Sequence, residues 1–384
     1  MSVFTVPSHI IVSDDALEEA KPYLQKCGTK ALIVTGKHIA NMMMMEELKT
    51  ALKDCGIAYT VFDGITGEPT EGMIETGSRL YKNEDCQFCI GIGGGSPLDA
   101  AKAIAVKSIF SQPLSTFLGK EITGKVPPIV AIPTTAGTGS EATKYTIITD
   151  SQKDMKMLLK GEVLLPQLAV VDVRYAKSAP QSVTVATALD ALTHAIEAYT
   201  SIKASTMTDT LAIRSVTRIM KYLPLAYTDG TNEEARTELA IAALEAGICI
   251  NNSSVTIVHG MSRPIGALFH VPHGISNAML LKECLSFALD GVYGRFATLG
   301  RAIGVANDFT EDIAAATMFI NEIERLCYFC HVPSLAEYGI EEEAFFTHIP
   351  KMATDAIASK SPENTRKAVT EEDCEIIYEK VYFG

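Results

Sequence analysis

The sequence predicts a mostly parallel α/β half, residues 1–180, followed by an all-α half, residues 181–384. Three observations carry this expectation. Short β-type runs alternate with helix-length patterns through the first half. Strand-like runs become scarce after Ala179-Pro180. One β run also empties into a cluster of glycines just where a helix begins.

Strands are predicted at 31–35 (ALIVT), 57–62 (IAYTVF), 88–92 (FCIGI), 129–132 (IVAI) and 168–173 (LAVVDV). Near-continuous apolar strands read as a sheet covered on both faces. The gaps leave room for helices at about 39–55, 70–84 and 97–109. The run Met42–Met45 falls in the first of these and reads as packing. Beyond Pro180, helical periodicity covers 181–199, 205–227, 233–252, 275–303, 309–330 and 363–381.

A chain of 384 residues, 47% hydrophobic and 21% charged, has the make-up of an ordinary globular protein large enough for two domains. Its formal net charge of −13 argues against a nucleic-acid partner, which needs a basic face to displace counterions. No apolar run approaches the ~18 residues of a membrane span. The opening MSVFTVPSHIIVSDD lacks the basic, then apolar, pattern of a secretory signal. The nine Cys follow no disulfide framework, so reduced thiols in the cytoplasm are expected. The CxxC pairs Cys86/Cys89 and Cys327/Cys330 lie far apart in apolar surroundings and read as buried small hydrophobes rather than a zinc site.

Residues 88–103, FCIGIGGGSPLDAAKA, carry the glycines Gly93, Gly94 and Gly95. Ser96 is predicted as N-cap, Pro97 as the first helical residue, and Asp99 at capping-box spacing. Glycines let the backbone approach a ligand, and a helix N-terminus offers free N–H groups and positive dipole, which suits a pyrophosphate. A second polar stretch, IPTTAGTGSEAT at 132–143, offers the hydroxyls of Thr134, Thr135, Thr138 and Ser140 beside the first. The first strand ends at Gly36 followed by Lys37, where NAD-preferring folds often carry a ribose-binding carboxylate. That pair tolerates a 2′-phosphate and tilts the cofactor expectation from NAD toward NADP.

The second half carries a different chemistry. In TALDALTHAIEAY, Asp190 and His194 are four apart and share one helix face. In HGMSRPIGALFHVPHG, His259 and His273 are fourteen apart. A straight helix would separate them by about 21 Å. Pro264, Gly266 and Pro272 lie between, so a fold-back is expected to bring the two together. Three imidazoles and one carboxylate suit Fe2+ or Zn2+. His270 is a candidate for the pocket wall or a proton relay, beside His273.

With GGGSPLDAAK, PTTAGTGSEAT, LDALTHAIEAY and HGMSRPIGALFHVPHG in this order, the sequence resembles the iron-containing, or group III, alcohol dehydrogenases over essentially its whole length. The resemblance implies a dinucleotide-binding domain in 1–180 and a helical metal-binding domain in 181–384, an architecture shared with dehydroquinate synthase. It implies iron ligands Asp190, His194, His259 and His273. It places the pyrophosphate at Gly93–Ser96, and Thr134, Thr135 and Thr138 along the adenine and phosphate side. It also implies a homodimer. Many relatives carry a second His four residues after the third ligand, where this chain has Arg263.

The activity so implied is reversible hydride transfer between a nicotinamide cofactor and a small primary alcohol or diol, or its aldehyde. Lys144 and Arg263 add positive charge, and with them an anionic aldehyde bearing a carboxylate or sulfonate is a second expectation. A hydroxyacid–oxoacid transhydrogenase is a third.

Overall fold

The computed structural model describes residues 3–151 and 155–383. It divides into two compact units, Thr5–Ala179 and a second that begins at Pro180.

In the first unit the chain forms β1 (His9–Ser13), α1 (Ala16–Leu24), β2 (Lys30–Val34), α2 (Lys37–Ala40), α3 (Met43–Asp54), β3 (Ala58–Phe62), α4 (Glu71–Asn83), β4 (Phe88–Gly93) and α5 (Gly95–Ile109). Then come β5 (Ile129–Pro133), β6 (Tyr145–Asp150), β7 (Met155–Lys160), β8 (Leu168–Asp172) and α6 (Val173–Ala176). Six strands make one sheet in the order β1-β8-β5-β4-β2-β3, parallel throughout. Alternate residues serve opposite faces, as the pleat requires. Leu32 and Val34 of β2 pack with Ile74 of α4 and Ile104 of α5, whereas Ala31 and Ile33 pack with Leu24 of α1 and Leu48 of α3. Both faces are therefore buried, which is why these strands read as unbroken apolar runs.

The five predicted strands fall within a residue or two of the observed ones. The first helical pattern, 39–55, is two helices, since Asn41 and Met42 leave helical geometry between α2 and α3. The edge strand β1 and the antiparallel hairpin β6–β7 escaped prediction. In β1 only one neighbour, β8, supplies a ladder, and its apolar run is just three residues, Ile10 to Val12, too short to mark a strand by itself. β6 does carry a period-two burial pattern, with Thr146, Ile148 and Asp150 inward.

The second unit is helical: α7 (Gln181–Thr200), α8 (Thr206–Thr228), α9 (Glu233–Asn252), α10 (Ile257–Phe269), α11 (His273–Ala302), α12 (Asp312–Phe329), α13 (Glu342–Ala358) and α14 (Glu371–Val381). α7 packs against α8, α9 and α11, and every residue from Ala188 to Thr200 is buried. A helix enclosed on all sides needs no polar face. The polar groups it does carry must then find partners inside. The pattern expected over 363–381 becomes a helix only from Glu371, where Thr370 and Asp373 form a capping box. α13 was not anticipated; Pro350 lies inside it, and proline is a helix-breaking signal in sequence. No single helix among the described residues is long and apolar enough to cross a membrane.

Candidate metal centre and phosphate loop

Asp190 and His194 stand one turn apart on α7, both buried. His259 lies in the first turn of α10, and His273 is the first residue of α11. The helix α10 passes through Pro264 and Gly266 unbroken. The reversal expected from those residues is made instead at His270–Pro272. There His270 takes a left-handed conformation (φ 56, ψ 28) that ends α10, and Pro272 leads into α11.

The turn brings His259 and His273 beside Asp190, and His194 approaches the same carboxylate from one turn along α7. Asp190 Oδ1 lies 3.8 Å from His194 Nε2, 3.6 Å from His259 Nε2 and 3.7 Å from His273 Nε2. The His194 and His259 rings stack with centroids 4.5 Å apart, and His273 meets His259 edge-on at 5.2 Å. Ligating atoms of Asp190, His259 and His273 all fall within 4.8 Å of one another. Ligands bonded to one tetrahedral ion at ~2.1 Å stand about 3.4 Å apart, so this donor set fits a divalent cation of the iron or zinc type. Burial by itself would raise the Asp190 carboxyl, but the imidazoles of His194, His273 and His259 hold it well below the usual range. On His259, burial is outweighed by Glu197 and Asp190, and its imidazole is pushed up to about 9.

Two side chains that the sequence reading passed over complete the cluster. Asn277, one turn after His273 and fully buried, donates through Nδ2 to Asp190 Oδ1 at 2.8 Å. The same Nδ2 lies 3.2 Å from His259 Nε2 and 3.4 Å from His273 Nε2. Glu197, also fully buried, places Oε2 2.5 Å from His259 Nδ1. The signal that could have found them is spacing, because Glu197 continues the Asp190–His194 face of α7 and Asn277 follows His273 by four. His270 is exposed and stands outside this group. Arg263, one turn after His259, is half-buried; its Nη1 donates to Ser361 Oγ at 2.9 Å. No carboxylate pairs with it among the described residues.

In the first unit, Gly93 has φ 145, and a Cβ there would meet Pro97 Cγ at 2.7 Å. A Cβ on Gly95 would meet Thr138 Cγ2 at 2.8 Å, and Gly94 lies against Thr135. The helix begins at Gly95 with Gly94 as N-cap, not with Ser96 as predicted. Backbone freedom and close packing, rather than a hydroxyl, set its start. Gly94 has no side chain to occupy the first-turn N–H groups, which leaves them to an outside acceptor. Thr134 is buried and its N–H donates to Gly93 O, so the two Gly-rich stretches lie side by side.

Asp99 does not cap the helix. Its carboxylate accepts from Ser140 Oγ at 2.6 Å and Ile147 N at 2.8 Å, tying α5 to β6. Fully buried Lys102 reaches Ser140 O, Ser140 Oγ and Tyr145 O at 2.7–2.8 Å, and burial lowers its ammonium to about 8. The side chains of Asp99 and Ser140 are thus spent on holding the loop. A Cβ on Gly36 would meet Ile65 O at 2.7 Å, so glycine there has a packing reason of its own, while Lys37 is exposed.

Two family profiles match the chain: "Iron-containing alcohol dehydrogenase" over residues 7–173, and "Fe-containing alcohol dehydrogenase family, C-terminal" over 184–382. The NAD-dependent methanol dehydrogenase of Bacillus methanolicus is 33% identical, over 98% of this chain and 99% of its own. The NADPH-dependent butanol dehydrogenase of Clostridium saccharobutylicum is 31% identical, over 100% and 99%. A crystal structure of a 1,3-propanediol oxidoreductase superposes with a TM-score of 0.96 at 30% identity, covering 100% of both chains.

Proposed function

The chain belongs to the iron-containing alcohol dehydrogenase family, and from that premise we propose which of its residues carry the reaction and on what substrates. As a member it is an oxidoreductase that couples alcohol and aldehyde to a nicotinamide cofactor. We assign the metal to Asp190, His194, His259 and His273, the nucleotide to the unit Thr5–Ala179, and the reaction to a small primary alcohol or diol. The observation that supports this is three imidazole nitrogens within 3.6–3.8 Å of one Asp190 oxygen, with donor atoms of Asp190, His259 and His273 all within 4.8 Å of one another.

When bound, a ferrous ion at this point supplies Lewis acidity toward the alcohol oxygen, and a nicotinamide supplies the hydride acceptor. The protein's part is positioning. Asn277 holds the Asp190 oxygen, and stacking on His259 fixes the His194 ring. His194 and His259 are enclosed, while the His273 side chain is 36% exposed, so substrate approaches on the His273 side. His270, exposed and three residues before His273, is the proposed outlet for the alcohol proton.

For the cofactor, the N–H groups at the start of α5 and the close-approach glycines Gly93–Gly95 hold the pyrophosphate, with Thr134, Thr135 and Thr138 beside it. Exposed Lys37 next to Gly36 favours NADP, since it offers charge where a carboxylate would repel a 2′-phosphate. We further propose a homodimer in the cytoplasm, in keeping with nine unpaired cysteines.

A second reading rests on Arg263. A half-buried guanidinium with no carboxylate at ion-pair distance among the described residues, one turn from a proposed ligand and offset only by the more distant Glu197, suits an aldehyde bearing a carboxylate or sulfonate. Metal analysis of protein purified without air, followed by a panel of alcohols and of neutral and anionic aldehydes with both cofactors, tests these assignments. A metal-free preparation with full turnover sinks the metal assignment. Equal kcat/KM for neutral and anionic aldehydes of matched length rejects the second reading. The absence of net nicotinamide turnover with free cofactor replaces the dehydrogenase with a transhydrogenase.

A further inference from the structure

Glu197 is a fully buried carboxylate on the same face of α7 as Asp190 and His194. Its two oxygens are used differently. Oε1 accepts from Thr256 Oγ1 at 2.9 Å, from Val258 N at 2.7 Å and from His259 N at 3.3 Å. Oε2 faces His259 Nδ1 alone, at 2.5 Å. The N-cap residue of α10, Thr256, makes no side-chain cap, so a carboxylate from another helix takes the first-turn N–H groups.

That arrangement has a consequence at the far side of the ring. A carboxylate has no proton to give, so Nδ1 keeps its proton, and in the neutral ring that binds a metal the lone pair is on Nε2. Nε2 is the atom that lies 3.6 Å from Asp190 Oδ1. The geometry points to Glu197 as a positioning residue that fixes the Nδ1–H tautomer of His259 and so presents Nε2 to the metal. The inference rests on the metal-centre reading above, and Glu197 itself is not a ligand in it. Outer partners of this kind raise the basicity of a ligating imidazole and hold its orientation.

Glu197→Gln tests the tautomer with little change in volume. The three donors at Thr256, Val258 and His259 draw the amide oxygen to their side, which turns the amide N–H2 toward His259 Nδ1. A donor there demands the lone pair on Nδ1 and sends the proton to Nε2. The metal dissociation constant, read by chelator competition with Fe2+ and with Zn2+, is expected to weaken about 10–100-fold. The melting temperature of the metal-free protein is expected to stay near that of the parent. An unchanged dissociation constant with a lowered metal-free melting temperature makes Glu197 a helix cap only and overturns the proposal.

His259→Ala runs alongside. If it too keeps the metal at parental affinity, the metal-centre reading has failed rather than the role of Glu197. Should Glu197→Gln not fold, histidine-selective nitrogen NMR of the unaltered zinc-loaded protein decides. His259 is expected to carry its proton on Nδ1, and a deprotonated Nδ1 overturns the assignment.

Discussion

In the proposed nucleotide site around Gly93–Gly95 the working groups are main-chain N–H groups, whereas in the proposed metal centre around Asp190 they are side chains delivered by three helices. The first site is contiguous in sequence and built by what is missing: no Cβ at 93 and 95, and no capping side chain at 94. The second draws on α7, α10 and α11 and is built by what is added: four donor groups, with Asn277 and Glu197 holding them. A main-chain site is vulnerable to added atoms, and a side-chain site to removed ones. Each can therefore be broken without touching the other.

The largest effect is expected from removing a proposed ligand. His259→Ala should lose the metal on dialysis and drop kcat/KM by more than the 10–100-fold typical of losing an outer partner. Metal analysis and steady-state kinetics read this, and cofactor binding measured by fluorescence should be unaltered. Turnover and metal content at parental levels would dissolve the contrast between the sites.

Gly93→Ala is the matching lesion in the first unit. It adds a Cβ at φ 145 and 2.7 Å from Pro97. A cost of about 1–3 kcal/mol in stability is expected from the strain, with KM for the cofactor raised and bound metal unchanged. Differential scanning calorimetry and cofactor titration check it.

Asn277→Ala sharpens the side-chain half. It removes the donor to Asp190 Oδ1 and leaves a buried carboxylate oxygen short of a partner, which costs about 1–3 kcal/mol. Metal affinity should fall, and loading with excess metal should recover part of the lost stability. A melting temperature unmoved in both forms would remove Asn277 from the cluster.

The smallest effect is expected at the surface. Lys37→Ala should lower kcat/KM with NADPH by up to about fivefold, the scale of one exposed ion pair, and leave NADH unaffected. Gly36→Asp is a poorer probe, because the collision with Ile65 O mixes strain with charge. A parallel loss with both cofactors would mean that Lys37 acts on folding or on the shared part of the nucleotide.

By itself the sequence determined the parallel core, and it singled out the glycine-rich turn and the residues Asp190, His194, His259 and His273 that are proposed as the site. Strands buried on both faces advertise themselves as apolar runs, a Gly-rich turn before a helix is local chemistry, and Asp190 and His194 need only one helix turn to meet. It fell short wherever a residue's role depends on a partner distant in the chain. Ser96 looks like an N-cap until Gly93–Gly95 pack against Pro97 and Thr138, and Asp99 looks like part of that cap until β6 offers it Ile147 N. Pro264 looks like a helix break although α10 runs through it. Only the tertiary structure decided that Glu197 meets His259 and Asn277 meets Asp190, because hydrogen bonds form between atoms a few ångströms apart in space, and here the partners stand 62 and 87 residues apart in the chain.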